Sequence, residues 1–347
     1  MKKGLWALGL LVLVNSATAQ NKQPQYISAI VGFYNLENLF DTINDPKIDD
    51  EEFLPSSAKK YNSVIYRNKL DNMAEAISGI GTDVNTDGLA LLGVVEIENE
   101  TVLNDLAATE KLKGRNYQYV HFNSPDARGI DAALLYNPKY FTVLEAWPHR
   151  VTLPDKHDTR DILVVKGDFV GDTIVVIVNH WPSRRGGSNN ADLQNKESAY
   201  NRNNTWRERQ SQIELNSNQG LRTSGEEISR PNRLAAARAC MSIIDSVQAQ
   251  NPNAKIMVMG DLNDDPNSPS VEKVLQAKAD MAEVQPRGLF NPFAQFHKQG
   301  YGTLVFNGKW NLFDQVMFTQ PWLNQQQTTG WFLYKSHIYY REFLIQK

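Results

Sequence analysis

Five short apolar runs in this chain each end in carboxylate, amide or imidazole side chains, and that repeated ending restricts how the chain can fold. The first strand, Gln25 to Tyr34, leads into Asn35 and Glu37; Leu91-Leu92-Gly93-Val94-Val95 leads into Glu96 and Glu98. Ile174 to Val178 leads into Asn179-His180-Trp181, Ile256 to Gly260 into Asp261 and Asn263, and Leu312-Phe313 into Asp314. Apolar runs of this length read as buried strands, and polar groups at their ends must find partners or solvent. Each ending taken singly has a plainer reading. Asp261-Leu262-Asn263-Asp264-Asp265-Pro266 has the composition of a turn, and a lone strand-end histidine is more often a hydrogen-bonded structural group. Five in one chain point to a scaffold that delivers side chains to a cleft.

The rest of the chain alternates strands with helices. Gln25 to Tyr34 reads as a first strand, and Tyr61 to Ile80 carries a helical stripe of Ile65, Leu70, Met73, Ile77 and Ile80. Leu89 to Val95 is a buried strand and Thr101 to Lys113 a helix. Ala132 to Tyr136, Phe141 to Trp147, Ile162 to Val170 and Thr173 to Val178 follow as strands, the last two joined through a Gly171-Asp172 turn. Leu234 to Ala249 is helical, Lys255 to Met259 a strand, Ser270 to Ala277 a short helix and Trp310 to Thr319 a strand. Hairpin-joined strands mixed with helices predict an α+β fold. Two mainly antiparallel β-sheets pack face to face and are flanked by helices, in a four-layer α/β/β/α sandwich.

Ser183 to Arg233 breaks the rhythm and reads as a surface insertion within one domain spanning 20–347. Over Ser183 to Arg209 it holds six Arg or Lys against three Asp or Glu. Such a stretch is either a solvated face or a basic lid over substrate.

The N-terminus has the pattern of a secretory signal peptide: Lys2 and Lys3, an apolar run from Gly4 to Val14, then Ala17-Thr18-Ala19. Cleavage after Ala19 would send the chain to the periplasm or the medium with no membrane anchor. One cysteine, Cys240, sits in an apolar helical pattern and reads as a core residue. With no intrachain disulfide available, stability must come from burial. The formal net charge of −3 disfavours nonspecific coating of nucleic acid and leaves room for a local basic groove.

Carboxylates and amides converging on a cleft suit a hard, oxygen-seeking cation such as Mg²⁺. Zinc-spaced Cys or His pairs, a P-loop and a nucleophile elbow are all missing from the sequence. The segments Tyr34-Asn35-Leu36-Glu37-Asn38, Val95-Glu96-Ile97-Glu98-Asn99, Val178-Asn179-His180-Trp181-Pro182 and Gly260-Asp261-Leu262-Asn263-Asp264, in this order, resemble the endonuclease/exonuclease/phosphatase superfamily and its secreted bacterial branch. The resemblance spans about Ile27 to Phe318. It implies Mg²⁺, or Mn²⁺ or Ca²⁺, held by Glu96 with Asn35 and Glu37 near the same ion. It further implies that Asp261 takes a proton from the attacking water, that Asn263 holds a phosphate oxygen, and that His180 binds the phosphate or assists the leaving group. Asp131 would orient His180, Arg160 would contact phosphate, and Asp314 would pair with a histidine near the C-terminus.

The family's closing Ser-Asp-His motif has no match after Asp314; Ser336-His337 is the nearest. The expectation is a chain that stops before the last strand and leaves Asp314 without its histidine, with His337 as a divergent substitute the alternative. The resemblance implies a phosphoesterase whose activity that loss would impair. Nucleic acid is the first substrate class, supported by Arg184, Arg185, Arg202, Arg207 and Arg209, with Trp181 and Trp206 available to stack on bases. A small phosphorylated metabolite or lipid headgroup is the second. A catalytically inactive binding protein on the same scaffold is the third.

Overall fold

The computed structural model describes residues 26–184, 225–306, 308–327 and 329–344. The signal-like N-terminus, Arg185, Arg202, Trp206, Arg207, Arg209 and most of the insertion lie outside them. In chain order the elements are β1 (Ile30–Leu39), α1 (Ser63–Gly79), β2 (Leu89–Ile97), α2 (Glu100–Ala107), β3 (Gln118–His121) and β4 (Asp131–Tyr136). There follow β5 (Phe141–His149), β6 (Ile162–Phe169), β7 (Asp172–His180), α3 (Gly225–Gln250), β8 (Lys255–Asp261) and β9 (Leu289–Phe290). The series ends with α4 (Phe293–Lys298), β10 (Leu304–Phe306), β11 (Lys309–Asn311) and β12 (Asp314–Thr319).

Two sheets carry the fold. One has four strands in the order β1-β2-β4-β3, the other six in the order β5-β6-β7-β8-β12-β9. Both are mixed, because β1 runs parallel to β2 and β7 parallel to β8, while the remaining pairs are antiparallel. The inner faces meet in a core that includes Leu91, Val95 and Leu134 from the first sheet and Val165, Val176, Met257, Met259 and Val316 from the second. The outer face of the first sheet buries Leu92 and Val94 against Leu70, Met73 and Ile77 of α1 and Leu103 of α2. The outer face of the second buries Ile177 and Val258 against Ala237, Cys240 and Ile244 of α3. These are the four expected layers, and Cys240 is a fully buried core residue whose thiol burial pushes up to about 12. Among the described residues no helix is long and apolar enough to cross a membrane.

Local signals explain most element boundaries. The Asn62 side chain accepts the Val64 and Ile65 N–H groups and starts α1; Asn99 does the same for Val102 and α2. Several expected boundaries move. β1 starts at Ile30 and runs to Leu39, its pairing with β2 broken by a bulge after Asn35 and resumed at Leu39 opposite Ile97. The β6–β7 turn falls on Val170-Gly171, both at positive φ, one residue before the expected Gly171-Asp172. α2 ends at Ala107, well short of Lys113. Ser270–Val274 is one turn of wide helix. The expected strand from Trp310 to Thr319 divides into β11 and β12, with Leu312 and Phe313 buried between them. α3 begins at Gly225, inside the expected 183–233 insertion, and carries Pro231 within it. After β12 the described chain forms no further strand.

Candidate active site

The sheet register brings the polar strand ends together. His180 at the end of β7 lies opposite Asp261 at the end of β8, and Asp261 lies opposite Asp314 at the start of β12. From the other sheet, Asn35 on β1 reaches across the sandwich. Its Nδ2 donates to Glu96 Oε1 at 3.2 Å and to Asp261 Oδ2 at 3.0 Å, so one amide ties the two sheets at the cleft. His180 Nε2 lies 3.6 Å from Glu96 Oε1. Ligand atoms of Glu96, His180 and Asp261 all fall within 4.8 Å of one another. Asn263 completes the Asp261 turn: its N–H donates to Asp261 Oδ1 at 2.9 Å and its Nδ2 to the Trp181 carbonyl at 2.9 Å.

The backbone here is left-handed at four non-glycine positions, Glu37, Asn38, Glu96 and Asn263, with φ between 49° and 60°. Such conformations persist only where the surroundings hold them, and they concentrate at functional sites. Lys69 of α1 is part of that hold, donating its ammonium to the carbonyls of Glu37 and Asn38. Burial lowers Lys69 to about 8, against the pull of Glu37 and Glu96.

Charge at the site is unbalanced. Burial, then the proximity of Asp261, holds the Asp314 carboxyl well above the usual range, and its Oδ1 is buried without a hydrogen-bond partner. Burial also raises Asp261 to about 6, against the hydrogen bonds from Asn263 and Asn35, and Glu96 adds to the rise. His180 goes the other way: burial and the nearby guanidinium groups of Arg160 and Arg128 keep it neutral. Converging carboxylates with an orphaned oxygen are what an oxygen-seeking divalent cation would satisfy. Glu96 and Asp261 could hold such an ion, with Asn35 bridging them, while Glu37 is exposed and outside that group.

Asp261 and Asp314 bind protons more tightly in the metal-free folded protein than in the unfolded chain, whose aspartates titrate near pH ~4. Folded stability therefore falls as pH rises from ~4 through about 6, the folded value of Asp261, and stays low above it. Neutral His180 opposes this below pH ~6.5, where the unfolded chain gains a proton that the folded one refuses. Asp314→Asn removes one unpaired charge. The metal-free variant is expected to exceed wild type by about 1–3 kcal/mol near neutral pH, with the gap closing toward pH ~4, where the aspartate of the unfolded chain is protonated as well. Urea unfolding in EDTA across that range checks it, and a variant less stable than wild type near neutrality would refute the account.

Other expected site residues are placed differently. Asp131 faces His121, its Oδ2 lying 2.9 Å from His121 Nε2, while its Oδ1 accepts the Ser124 N–H. The buried partner that Asp131 orients is therefore His121. Arg160 is buried, with Nη1 on Asp126 and Nη2 on the Trp181 carbonyl at 2.6 Å. Those bonds anchor the loop after β7, while Arg160 Nε is buried without a hydrogen-bond partner. Arg128 also binds Asp126 and is half exposed; as a lone arginine in a loop it carries no sequence signal. Trp181 is buried, its indole N–H donating to Asn179, which removes it as a base-stacking platform. Arg184 is buried against Asp265 and the Asn263 carbonyl, over the Phe313 ring. It props up the Asn263 turn. His337 is exposed.

A model of the Endonuclease/Exonuclease/phosphatase family matches residues 30–218 and 210–347. No curated protein matches the chain. Similar solved structures include the Caenorhabditis elegans TDP2, at 18% identity and TM-score 0.44, covering 73% of this chain and 79% of that one. The human Nocturnin catalytic domain is 14% identical with TM-score 0.41, covering 67% and 70%. A mannosyl-6-phosphatase from Bacteroides thetaiotaomicron is 11% identical with TM-score 0.45, covering 84% and 85%. With the family match running from β1 to the C-terminal residue, the chain belongs to the Endonuclease/Exonuclease/phosphatase family.

Proposed function

We propose that this protein is an exported, divalent-metal-dependent phosphoester hydrolase, with a phosphodiester as the bond it cleaves. The observation that carries this is the convergence of Glu96, His180 and Asp261 within 4.8 Å, bridged by Asn35. When bound there, Mg²⁺ or Mn²⁺ would neutralise phosphate charge and stabilise the leaving oxygen. Asp261 is the group placed to accept a proton from water, its carboxylate fixed by Asn35 and Asn263. Neutral His180, beside Glu96, offers an N–H to a phosphate oxygen or leaving group. Asn263 Nδ2 carries two N–H donors, and with one on the Trp181 carbonyl the other can donate to a phosphate oxygen.

Nucleic acid is one substrate class for this site. A small phosphorylated substrate is the second reading, favoured because Trp181 and Arg184 are buried in structural roles and so offer nothing to a polymer. Export rests on the Lys2-Lys3, Gly4 to Val14 and Ala17-Thr18-Ala19 pattern, and a single domain from residue 20 onward accompanies it. The test uses protein recovered from the periplasm or medium, whose N-terminus should read Gln20. Bis-p-nitrophenyl phosphate, plasmid DNA and sugar phosphates are offered with Mg²⁺ or Mn²⁺. Hydrolysis of the diester that EDTA abolishes and metal restores is expected; turnover indifferent to EDTA would sink the reading. DNA cleavage against sugar-phosphate release separates the two substrate classes.

A further inference from the structure

The bulge in β1 is fixed from outside its own sheet. Between Asn35 opposite Val95 and Leu39 opposite Ile97, three residues of β1, 36–38, face one residue of β2, Glu96. Glu37, Asn38 and Glu96 all carry left-handed backbone, with φ of 51°, 58° and 60°, a conformation that the surroundings must enforce. Leu36 and Leu39 supply one anchor, both fully buried in the cluster that also holds Leu70 of α1. Lys69, the residue before Leu70, supplies another. Its Nζ donates to the Glu37 carbonyl at 2.5 Å and to the Asn38 carbonyl at 2.8 Å, where the Phe40 N–H is a second donor.

The bulge in turn orients the Asn35 amide. The Glu37 N–H donates to Asn35 Oδ1 at 2.8 Å, which settles the assignment of oxygen and nitrogen. The oxygen points back to the bulge, and the two hydrogens of Nδ2 go to Glu96 Oε1 and Asp261 Oδ2, at 3.2 and 3.0 Å. The reversed amide would set its oxygen against two carboxylates and an N–H against an N–H. Glu37 carries both the carbonyl that Lys69 holds and the N–H that Asn35 accepts, so restraining one restrains the other. An unbroken line of bonds therefore runs from the α1 ammonium to Glu96 and Asp261.

We propose that Lys69 is a positioning residue of the active site: its ammonium holds the Glu37–Asn38 bulge and, through the Glu37 N–H, fixes the Asn35 amide between Glu96 and Asp261. It acts through Asn35, not on the reacting atoms. The kinetic consequence rests on the hydrolase reading above; the geometric one does not. The competing account is that the ammonium serves the acidic cleft by its charge alone. A charge effect would persist without Asn35, whereas a positioning effect would vanish with it.

The test uses the full chain, metal-free and ¹⁵N-labelled at asparagine, in which the Asn35 side-chain amide signal is the one lost in Asn35→Ala. Lys69→Met should shift that signal and speed its hydrogen exchange, and Lys69→Arg, which keeps donors for both carbonyls, should restore it. Tyr66→Phe removes a different bond of α1, the hydroxyl donated to Asp105, and should leave the signal where it is. With Mn²⁺ and bis-p-nitrophenyl phosphate, Lys69→Met is expected to lower kcat by about 10-fold or more at little change in KM, as a displaced catalytic group would. In the Asn35→Ala background the same substitution should lower kcat by less than about 2-fold further. If Lys69→Met does not fold, Lys69→Gln, a neutral side chain of shorter reach, takes its place. An Asn35 signal unmoved by loss of the ammonium overturns the proposal, as do an equal shift in Tyr66→Phe and a full kcat loss in the Asn35→Ala background. A wild-type chain that turns over no phosphodiester would retire the hydrolase reading instead, and the amide signal would still decide whether Lys69 orients Asn35.

Discussion

Asp261→Asn is expected to lower kcat for metal-supported hydrolysis of bis-p-nitrophenyl phosphate by about 10²–10⁴-fold, the range over which a positioned general base contributes. Asp261 stands where the whole architecture converges. It is opposite His180 on one neighbouring strand and Asp314 on the other, and it is hydrogen-bonded to Asn35 from the facing sheet. The substitution keeps shape and can keep the Asn263 N–H bond, so the fold should survive. It removes the proton acceptor and places an amide N–H where Asn35 already donates. Loss in kcat with little change in KM would mark a group acting in the transition state. His180→Gln should behave differently. Its loss removes an N–H donor at the site's edge and leaves the acceptor in place, so a smaller decrease is expected, of about 10²-fold. An Asp261→Asn enzyme within tenfold of wild type, at unchanged Tm, would remove Asp261 from the chemistry.

The parts of this site that were legible in the sequence are those where local pattern and chemistry coincide. An apolar strand that stops in Glu96, His180 or Asp261 announces a buried scaffold with a polar tip, and the sheets place those three tips together. The four layers follow from the same runs, because Leu89 to Val95 and Ile256 to Met259 are buried on both faces and must lie inside. What could not be read were partnerships fixed only by tertiary contact. Nothing in sequence pairs Asp131 with His121, although they are ten residues apart on adjacent strands, since both residue types are common at strand ends. Nothing in sequence shows that two nitrogens of Arg160 bind the carbonyl of Trp181 and the carboxylate of Asp126. Lys69 sits on a helix far along the chain from the carbonyls it holds. β1 ran longer than expected because, after an irregular stretch past Asn35, the chain pairs again at Leu39 opposite Ile97.

Gly260→Ala should be the most damaging single-methyl change in the site, and the reason is steric. Gly260 lies in the middle layer of the sandwich, paired in parallel register with Asn179. A Cβ there would stand 2.2 Å from the Asn179 carbonyl oxygen and 2.7 Å from the Asn179 Cβ. The oxygen belongs to backbone, so no rotamer change can make room, and β7 must move away from β8. Overpacking of this kind is unfavourable by about 1–3 kcal/mol where side chains can adjust; with backbone as the obstacle, about 3 kcal/mol or more is expected, a fall in Tm of roughly 4–5 °C or more at the unfolding entropy of a domain this long. Separation of β7 from β8 also parts His180 from Asp261, so activity should fall further than stability alone predicts. Gly171→Ala supplies the contrast. That glycine has φ of +86° but nothing within 4 Å of a built Cβ, so its substitution should be unfavourable by only about 1–2 kcal/mol of conformational strain and leave kcat untouched. Equal effects at the two glycines, or a Gly260→Ala enzyme with wild-type kcat, would show that the close approach of β7 and β8 does not hold the catalytic pair in register.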